Sequence, residues 1–340
     1  MPGNNNGPKV LRSLSAEYLQ TDRVELRLLK GDGSDRVLYR IVGGGRSIIG
    51  VHHADIRENR NFFALTELFR RCRIPAPKLL SVSSGASDYL LEDLGDVLLA
   101  DIVGTWREKK REKRIVSAYR QVIDCLIRMQ SELSERLLSL PFCRKMDRRL
   151  YLDDLRLFKD CFIDLYGFEA LYTSRVEREL EENLIEAITN LDHSFFVFRD
   201  FQSRNVMWQH GRPVFIDYQS ACLGTEYYDL ASVLYGAKSG LEERERRELL
   251  EFFFRRKKKR TDYADFLHFF YRFVLARRLR SFGSYGYLAE KKGKRDFKSY
   301  VPPALDELKA LFSHRPQLDE FPHTCRMIAK IRTLWPSSVA

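Results

Sequence analysis

Hydrophobic periodicity changes character once along this chain, and that change constrains the fold more than any other feature. Val24, Leu26 and Leu28 alternate with charged residues, the period of a half-buried strand. Lys30-Gly31-Asp32-Gly33-Ser34-Asp35 reads as a turn, because glycine tolerates positive φ. Val37 to Val42 reads as the return strand, Gly43-Gly44-Gly45 as the next turn and Ser47 to Val51 as a third strand. The opening is therefore an antiparallel meander. Ahead of it stand a flexible tail over residues 1–9 and a short amphipathic helix from Val10 to Leu19. Behind it, Phe62, Phe63, Leu65, Leu68 and Phe69 recur at helical spacing from about Asn59 to Cys72. Pro75 and Pro77 end that helix. Leu79 to Val82 and Tyr89 to Glu92 complete the sheet.

Beyond Gly95 helical patterns take over, at Arg114 to Leu133, Arg175 to Leu191, Glu242 to Phe254 and Tyr263 to Leu279. One β-rich island, Phe195 to Asp217, interrupts them. The expectation is an α+β chain in two lobes. A small antiparallel β-sheet lobe spans residues 10–95 and ends in a hinge near 92–96; a larger, mainly helical lobe spans residues 96–340. The length of 340 residues suits two such units. With 44% hydrophobic and 12% aromatic residues the chain can bury a core, which excludes wholesale disorder. The aromatic run Phe252-Phe253-Phe254 with Phe266, Phe269, Phe270 and Phe273 sits at helical spacing and reads as core.

Mean hydropathy is −0.37, and no apolar run is long enough for a bilayer. The N-terminal residues lack the basic-then-apolar order of a secretory signal. A cytoplasmic protein is expected. The six cysteines are widely spaced with no CxxC pair, so packed, reduced thiols are expected rather than a disulfide framework or a structural zinc site. Lys+Arg of 58 against Asp+Glu of 47 gives a net charge of +11. Three basic runs carry much of it, Lys109 to Arg114, Arg255 to Arg260 and Lys291 to Arg295. No nucleic-acid module accompanies them, so they read as solvated faces, and neither nucleic acid nor a membrane is expected as a partner.

The chemistry concentrates in the island. Asp200 and Asn205 stand five residues apart, and Asp217 follows twelve residues later, across a hairpin that turns at Gly211. An acid and an amide on one loop, with a second acid at the end of the next strand, can converge on one point. Phosphoryl transfer needs such a set: Mg²⁺ to neutralise phosphate charge and a carboxylate to orient the attacking hydroxyl. Magnesium takes oxygen ligands, which Asn205 and Asp217 can offer while water and phosphates complete the shell. Asp200 is then left to accept the acceptor's proton.

Arg199-Asp200 through Asn205, followed by Ile216-Asp217, resembles the aminoglycoside phosphotransferase and choline kinase branch of the kinase-like fold. Tyr228-Asp229-Leu230-Ala231-Ser232 after Gly224 matches the same branch. Arg199 to Met207 with Ile216 to Ala221 looks most similar to cell-wall-recycling sugar kinases, which phosphorylate the anomeric hydroxyl of N-acetylmuramate and N-acetylglucosamine. Looser likeness extends over Gly31 to Arg40, Leu91 to Gly95 and Arg278 to Gly283. The resemblance implies a bilobal protein-kinase-like fold and an enzyme that uses ATP and Mg²⁺ on a small-molecule hydroxyl acceptor. It makes Asp200 the catalytic base and Asn205 and Asp217 the metal ligands. It places Gly31, Gly33, Ser34 and Asp35 at the nucleotide phosphates, and Glu92 and Leu94 in the hinge that meets the adenine. Asp229 would brace the catalytic loop.

Two departures stand out. Phe198 occupies a position that is often His in the family, and the third strand lacks the usual nucleotide-binding lysine. Arg36, Arg40 or Arg46 could supply that charge, with Arg40 counted among the nucleotide-binding residues and Glu58 or Glu67 orienting the arginine from the following helix. An amino sugar is the first-choice acceptor. An aminoglycoside, a choline-type alcohol and a catalytically weak binding module stay open as alternatives.

Overall fold

The computed structural model describes residues 7–29, 36–258 and 261–335. They fall into two compact units: residues up to Ile102 together with Arg204–Ala221, and Val103–Ser203 together with Cys222 onward.

The first unit is built on a five-stranded antiparallel sheet of order β1-β2-β3-β5-β4. Its strands are β1 (Glu25–Leu29), β2 (Val37–Gly43), β3 (Arg46–His52), β4 (Leu79–Val82) and β5 (Asp88–Glu92). The expected meander is thus present. Gly43 pairs with Arg46, so the β2–β3 connection has two central residues, Gly44 and Gly45, at φ +56° and +72°. Two consecutive positive φ angles match the right-handed twist of the strands, and glycine reaches them without a Cβ penalty. Asp88 to Leu91 are buried in succession, the mark of a strand covered on both faces. Helix α1 (Gly7–Leu19) covers one face, where Leu11 and Leu19 pack with Ile41, Ile48 and Leu90. Helix α2 (Ile56–Arg71) covers the other, where Phe62 and Phe63 meet Tyr89. Adjacent residues Tyr89 and Leu90 therefore serve opposite layers, as period two requires.

α1 begins at Gly7, three residues before the sequence pattern places it, and α2 begins at Ile56 rather than Asn59. The α2 N-cap explains its earlier start: Asp55 accepts the Glu58 N–H at 2.9 Å, which satisfies one of the free donors of the first turn.

The same unit takes in the hairpin β7 (Val206–Gln209) and β8 (Arg212–Phe215), turning at His210 and Gly211, both at positive φ. Trp208 N–H donates to Val97 O at 2.8 Å and Phe215 N–H to Pro75 O at 2.9 Å, which fixes the hairpin to the segments flanking β4 and β5.

The second unit is mainly helical, with one short strand pair, β6 (Phe195–Val197) and β9 (Cys222–Gly224). Its longest helix, Tyr263–Gly286, buries Phe266, Phe270, Phe273, Leu275, Leu279 and Phe282. Phe253, Phe266, Phe270 and Phe273 are core, as their spacing suggested, while Phe252, Phe254 and Phe269 of the same run are only half-buried. The helix runs seven residues past Leu279, through Gly283 and Gly286. A Cβ at Gly283 would sit 2.6 Å from the Leu157 backbone, and one at Gly286 would sit 1.7 Å from Cys161 O. These glycines allow close backbone contact instead of ending the helix.

None of the six cysteines is paired. Within the second basic run Arg255 pairs with Glu251 and Arg256 with Asp124, as in an ordinary solvated helix face. No helix of the described residues is long and apolar enough to cross a membrane.

Candidate active site

In the first unit, Asn205 and Asp217 flank the open end of the β7–β8 hairpin. Val206 faces Phe215, and one step outward Ile216 N–H donates to Asn205 O at 3.0 Å. That backbone bond extends the pairing to Asn205 and leaves Asp217 as the next residue beyond it. Asp217 is exposed and has φ +68°, a left-handed conformation costly for a residue with a Cβ. Such strain persists only where surrounding structure over-determines it.

The next residue supplies that determination. Tyr218 is fully buried. Its ring stacks on Phe62 at 5.0 Å and on Phe69 at 4.6 Å. Thr66 Oγ1 donates to Phe62 O at 2.7 Å, so the Tyr218 hydroxyl donates to Thr66 Oγ1, also at 2.7 Å. Asp217 in turn accepts from the Gln219 amide at 2.8 Å.

The α2 residues involved are Phe62, Thr66 and Phe69, and Glu58 lies one turn before them. The spacings of 4, 8 and 11 residues from Glu58 place all four on one helix face. Glu58 accepts from Arg36 at 2.8 Å, and the Arg36 side chain is only 8% exposed, with its guanidinium 5.3 Å from the Phe62 ring. Tyr89 lies among these charges. Burial raises its hydroxyl to about 12; Arg36 pulls it down, while Glu58 and Asp217 push it further up. The arginine–carboxylate pair and Asp217 thus act on one buried phenol.

Of the three arginines considered from sequence, Arg36 is the one joined to an α2 carboxylate. Arg40 holds Asp93 at 2.8 Å and Asp96 at 2.8 Å, and those hydrogen bonds, Asp96 first, raise its own pKa. Arg46 donates to Tyr18 O at 3.2 Å. Glu67 pairs with Arg70 and Arg71 along its own helix. In the hinge, Glu92 gives its N–H to Lys78 O at 3.0 Å, and its carboxylate lies 3.7 Å from Lys78 Nζ. Leu94 follows, half-buried, on the segment leaving the sheet. Gly31, Gly33, Ser34 and Asp35 lie outside the described residues.

In the second unit, Asp200 sits on the loop that leaves β6. Phe198 N–H donates to Asp229 Oδ2 at 2.5 Å and Arg199 N–H to Asp229 Oδ1 at 3.2 Å. Asp229 lies in the first turn of helix Tyr227–Leu234 and is fully buried. Burial pushes its carboxyl up to about 7, against the pull of the Phe198 N–H, the Arg277 charge and the Arg199 N–H. It braces the loop as the sequence reading expected. Arg199 is left-handed at φ +79°, and Gln202 N–H closes back on Asp200 O at 2.9 Å. Phe198 and Phe201 are buried and meet edge-on at 5.4 Å, so Phe198 serves as a core residue in place of a polar one. The loop continues through a single 3₁₀ turn, Ser203–Asn205.

Asn205 and Asp217 together present a carboxamide and a carboxylate, hard oxygen donors that suit Mg²⁺ when water and phosphate oxygens complete its octahedron. Among the described residues no group of three or more His, Cys, Asp or Glu side chains could hold a metal.

Tyr218 and Thr66 were not singled out from sequence. The available signal was an aromatic residue directly after the motif aspartate and a threonine in an apolar helix stripe.

Residues 25–269 match the model of the phosphotransferase enzyme family. A Pseudomonas aeruginosa protein named N-acetylmuramate/N-acetylglucosamine kinase is 23% identical over 311 residues, covering 87% of this chain and 86% of the relative. A Caulobacter vibrioides protein of the same name is 24% identical over 264 residues, 70% of each chain. Among solved structures, the gentamicin complex of APH(2")-IIa superposes with a TM-score of 0.62 at 12% identity, covering 94% of this chain and 99% of the other. The expected protein-kinase-like fold is thereby shown.

Proposed function

The chain belongs to the phosphotransferase enzyme family, and from that premise we propose that it is an ATP- and Mg²⁺-dependent kinase. Its acceptor is the anomeric hydroxyl of an amino sugar of the N-acetylmuramate/N-acetylglucosamine type. The observation that supports the transfer chemistry is the Ile216-to-Asn205 backbone bond, which extends the hairpin to the two positions, 205 and 217, that carry the amide and the acid. The names of the two curated relatives support the acceptor.

Asp200 orients the acceptor hydroxyl and takes its proton. The hydroxyl oxygen bonds to the γ-phosphorus, the bond from that phosphorus to the bridging oxygen breaks, and ADP leaves with the electron pair. Asn205 and Asp217 would hold Mg²⁺, which neutralises phosphate charge. Arg36, steadied by Glu58, supplies the positive charge that a third-strand lysine provides elsewhere in kinase-like folds. A guanidinium suits that task because its planar donors match phosphate oxygens. Backbone N–H groups at Gly31, Gly33, Ser34 and Asp35 cradle the nucleotide phosphates. Glu92 and Leu94 present hinge backbone to the adenine, and Arg40 ties that segment to the sheet through Asp93 and Asp96. A cytoplasmic location goes with the use of ATP.

The test is ADP release from purified protein with ATP and Mg²⁺, offered N-acetylmuramate, N-acetylglucosamine, simple hexoses, an aminoglycoside and choline. Turnover of the two N-acetylated sugars is expected. Turnover confined to the aminoglycoside or to choline would overturn the acceptor assignment.

A further inference from the structure

Beside the Asp200 loop, within the second unit, lies a cavity of about 20 Å³ whose lining includes Gln202, Ser232, Arg277, Arg278 and Ser281. Gln202 is the residue whose N–H closes on Asp200 O, so the cavity borders the loop that carries the proposed base. Its size admits one small polar group or a single water and excludes a sugar ring.

Two wall groups lack partners. Ser232 is 3% exposed and its Oγ has no hydrogen-bond partner. Arg277 donates from one terminal nitrogen to the Tyr228 hydroxyl at 2.6 Å, and its guanidinium lies 4.7 Å from that ring. Its Nε is buried with no partner. The neighbouring arginines differ. Arg278 is paired with Glu307, Arg280 with Asp154 and Arg272 with Glu320. Among the described residues Arg277 has no ion pair. A buried donor left unsatisfied is costly, more so on a charged group. A cavity walled by a guanidinium whose Nε has no partner and by an orphan hydroxyl is therefore complementary to a small group that accepts a hydrogen bond from each. A carboxylate accepts them in the planar geometry that guanidinium offers.

We infer that Arg277 and Ser232 form a subsite for the carboxylate arm of an acidic amino-sugar acceptor, next to the loop that bears Asp200. The inference rests on the amino-sugar reading and deepens it. N-acetylmuramate carries a carboxylate on an ether arm and N-acetylglucosamine lacks one. The subsite makes the enzyme favour the acidic sugar.

The experiment compares kcat/KM for the two sugars in wild type, Arg277→Met, Arg277→Lys and Ser232→Ala, with ADP release as the readout. The readout is the ratio of kcat/KM for N-acetylmuramate to that for N-acetylglucosamine. It is expected to fall about tenfold in Arg277→Met and about threefold in Ser232→Ala, and to be partly restored in Arg277→Lys. A purely structural role lowers both constants together and leaves the ratio unmoved, which overturns the subsite while leaving the kinase reading standing. If wild type turns over neither sugar, the amino-sugar reading fails and the subsite with it. Ser232→Ala removes one oxygen, so the ratio can still be read if the arginine variants fold poorly.

Discussion

The segment carrying Asp217 and the loop carrying Asp200 solve one problem by different physics. Each contains a non-glycine residue in the left-handed region, Asp217 at φ +68° and Arg199 at +79°. The Asp217 segment is held by side-chain packing: Tyr218 stacks between Phe62 and Phe69 and is tied to Thr66. The Asp200 loop is held by a carboxyl group on its backbone: buried Asp229 accepts from two successive N–H groups. Packing of this kind is insensitive to pH and salt, whereas a buried carboxylate is not. The segment proposed to hold the metal thus rests on an apolar anchor, and the loop proposed to accept the proton rests on a titratable one.

Removing the apolar anchor has the largest expected effect. Tyr218→Ala leaves a cavity beneath α2 and is expected to cost about 3–5 kcal/mol, read from denaturant unfolding. A cost below about 1 kcal/mol would show that the segment is held some other way. Next comes the arginine–glutamate pair on the same helix face. Arg36→Met is expected to raise the KM for ATP about tenfold, roughly 1.4 kcal/mol, while Arg40→Met raises it less. The opposite ranking would return the nucleotide role to Arg40.

The effect shaped by pH belongs to the titratable anchor. Asp229 has a folded pKa of about 7 against an ordinary 3.8. Between those values the folded state binds the extra proton, so this group's contribution to stability is greatest below about pH 4 and is lost as pH rises through about 7. Wild-type stability relative to Asp229→Asn should therefore decline across that window in paired thermal unfolding scans. A flat difference would mean the carboxylate is not the titrating brace.

The sheet and the helical texture were legible because each leaves a local pattern, period two or period 3.6; Asp200, Asn205 and Asp217 were proposed from a fixed spacing on a loop. Partner choice leaves no such pattern. Arg36, Arg40 and Arg46 are equivalent in sequence, and only the fold sets one against Glu58 and another against Asp93 and Asp96. The helical pattern ends at Leu279 in the sequence, whereas the backbone of Leu157 and Cys161 packs against Gly283 and Gly286 on the helix's last turns. Arg277 stands just outside the Arg278–Gly283 stretch that resembles the family. Its interest lies in a hydrogen bond it does not make, which no sequence displays.

The central claim is that Asp200 acts on the acceptor's proton and not on the nucleotide. It is tested most directly by measuring kcat and ATP-induced thermal stabilisation side by side for wild type and Asp200→Asn. The account predicts a fall in kcat of about 10²–10⁴-fold with the stabilisation by ATP and Mg²⁺ retained. Turnover at the wild-type rate, or loss of the stabilisation together with activity, would contradict it.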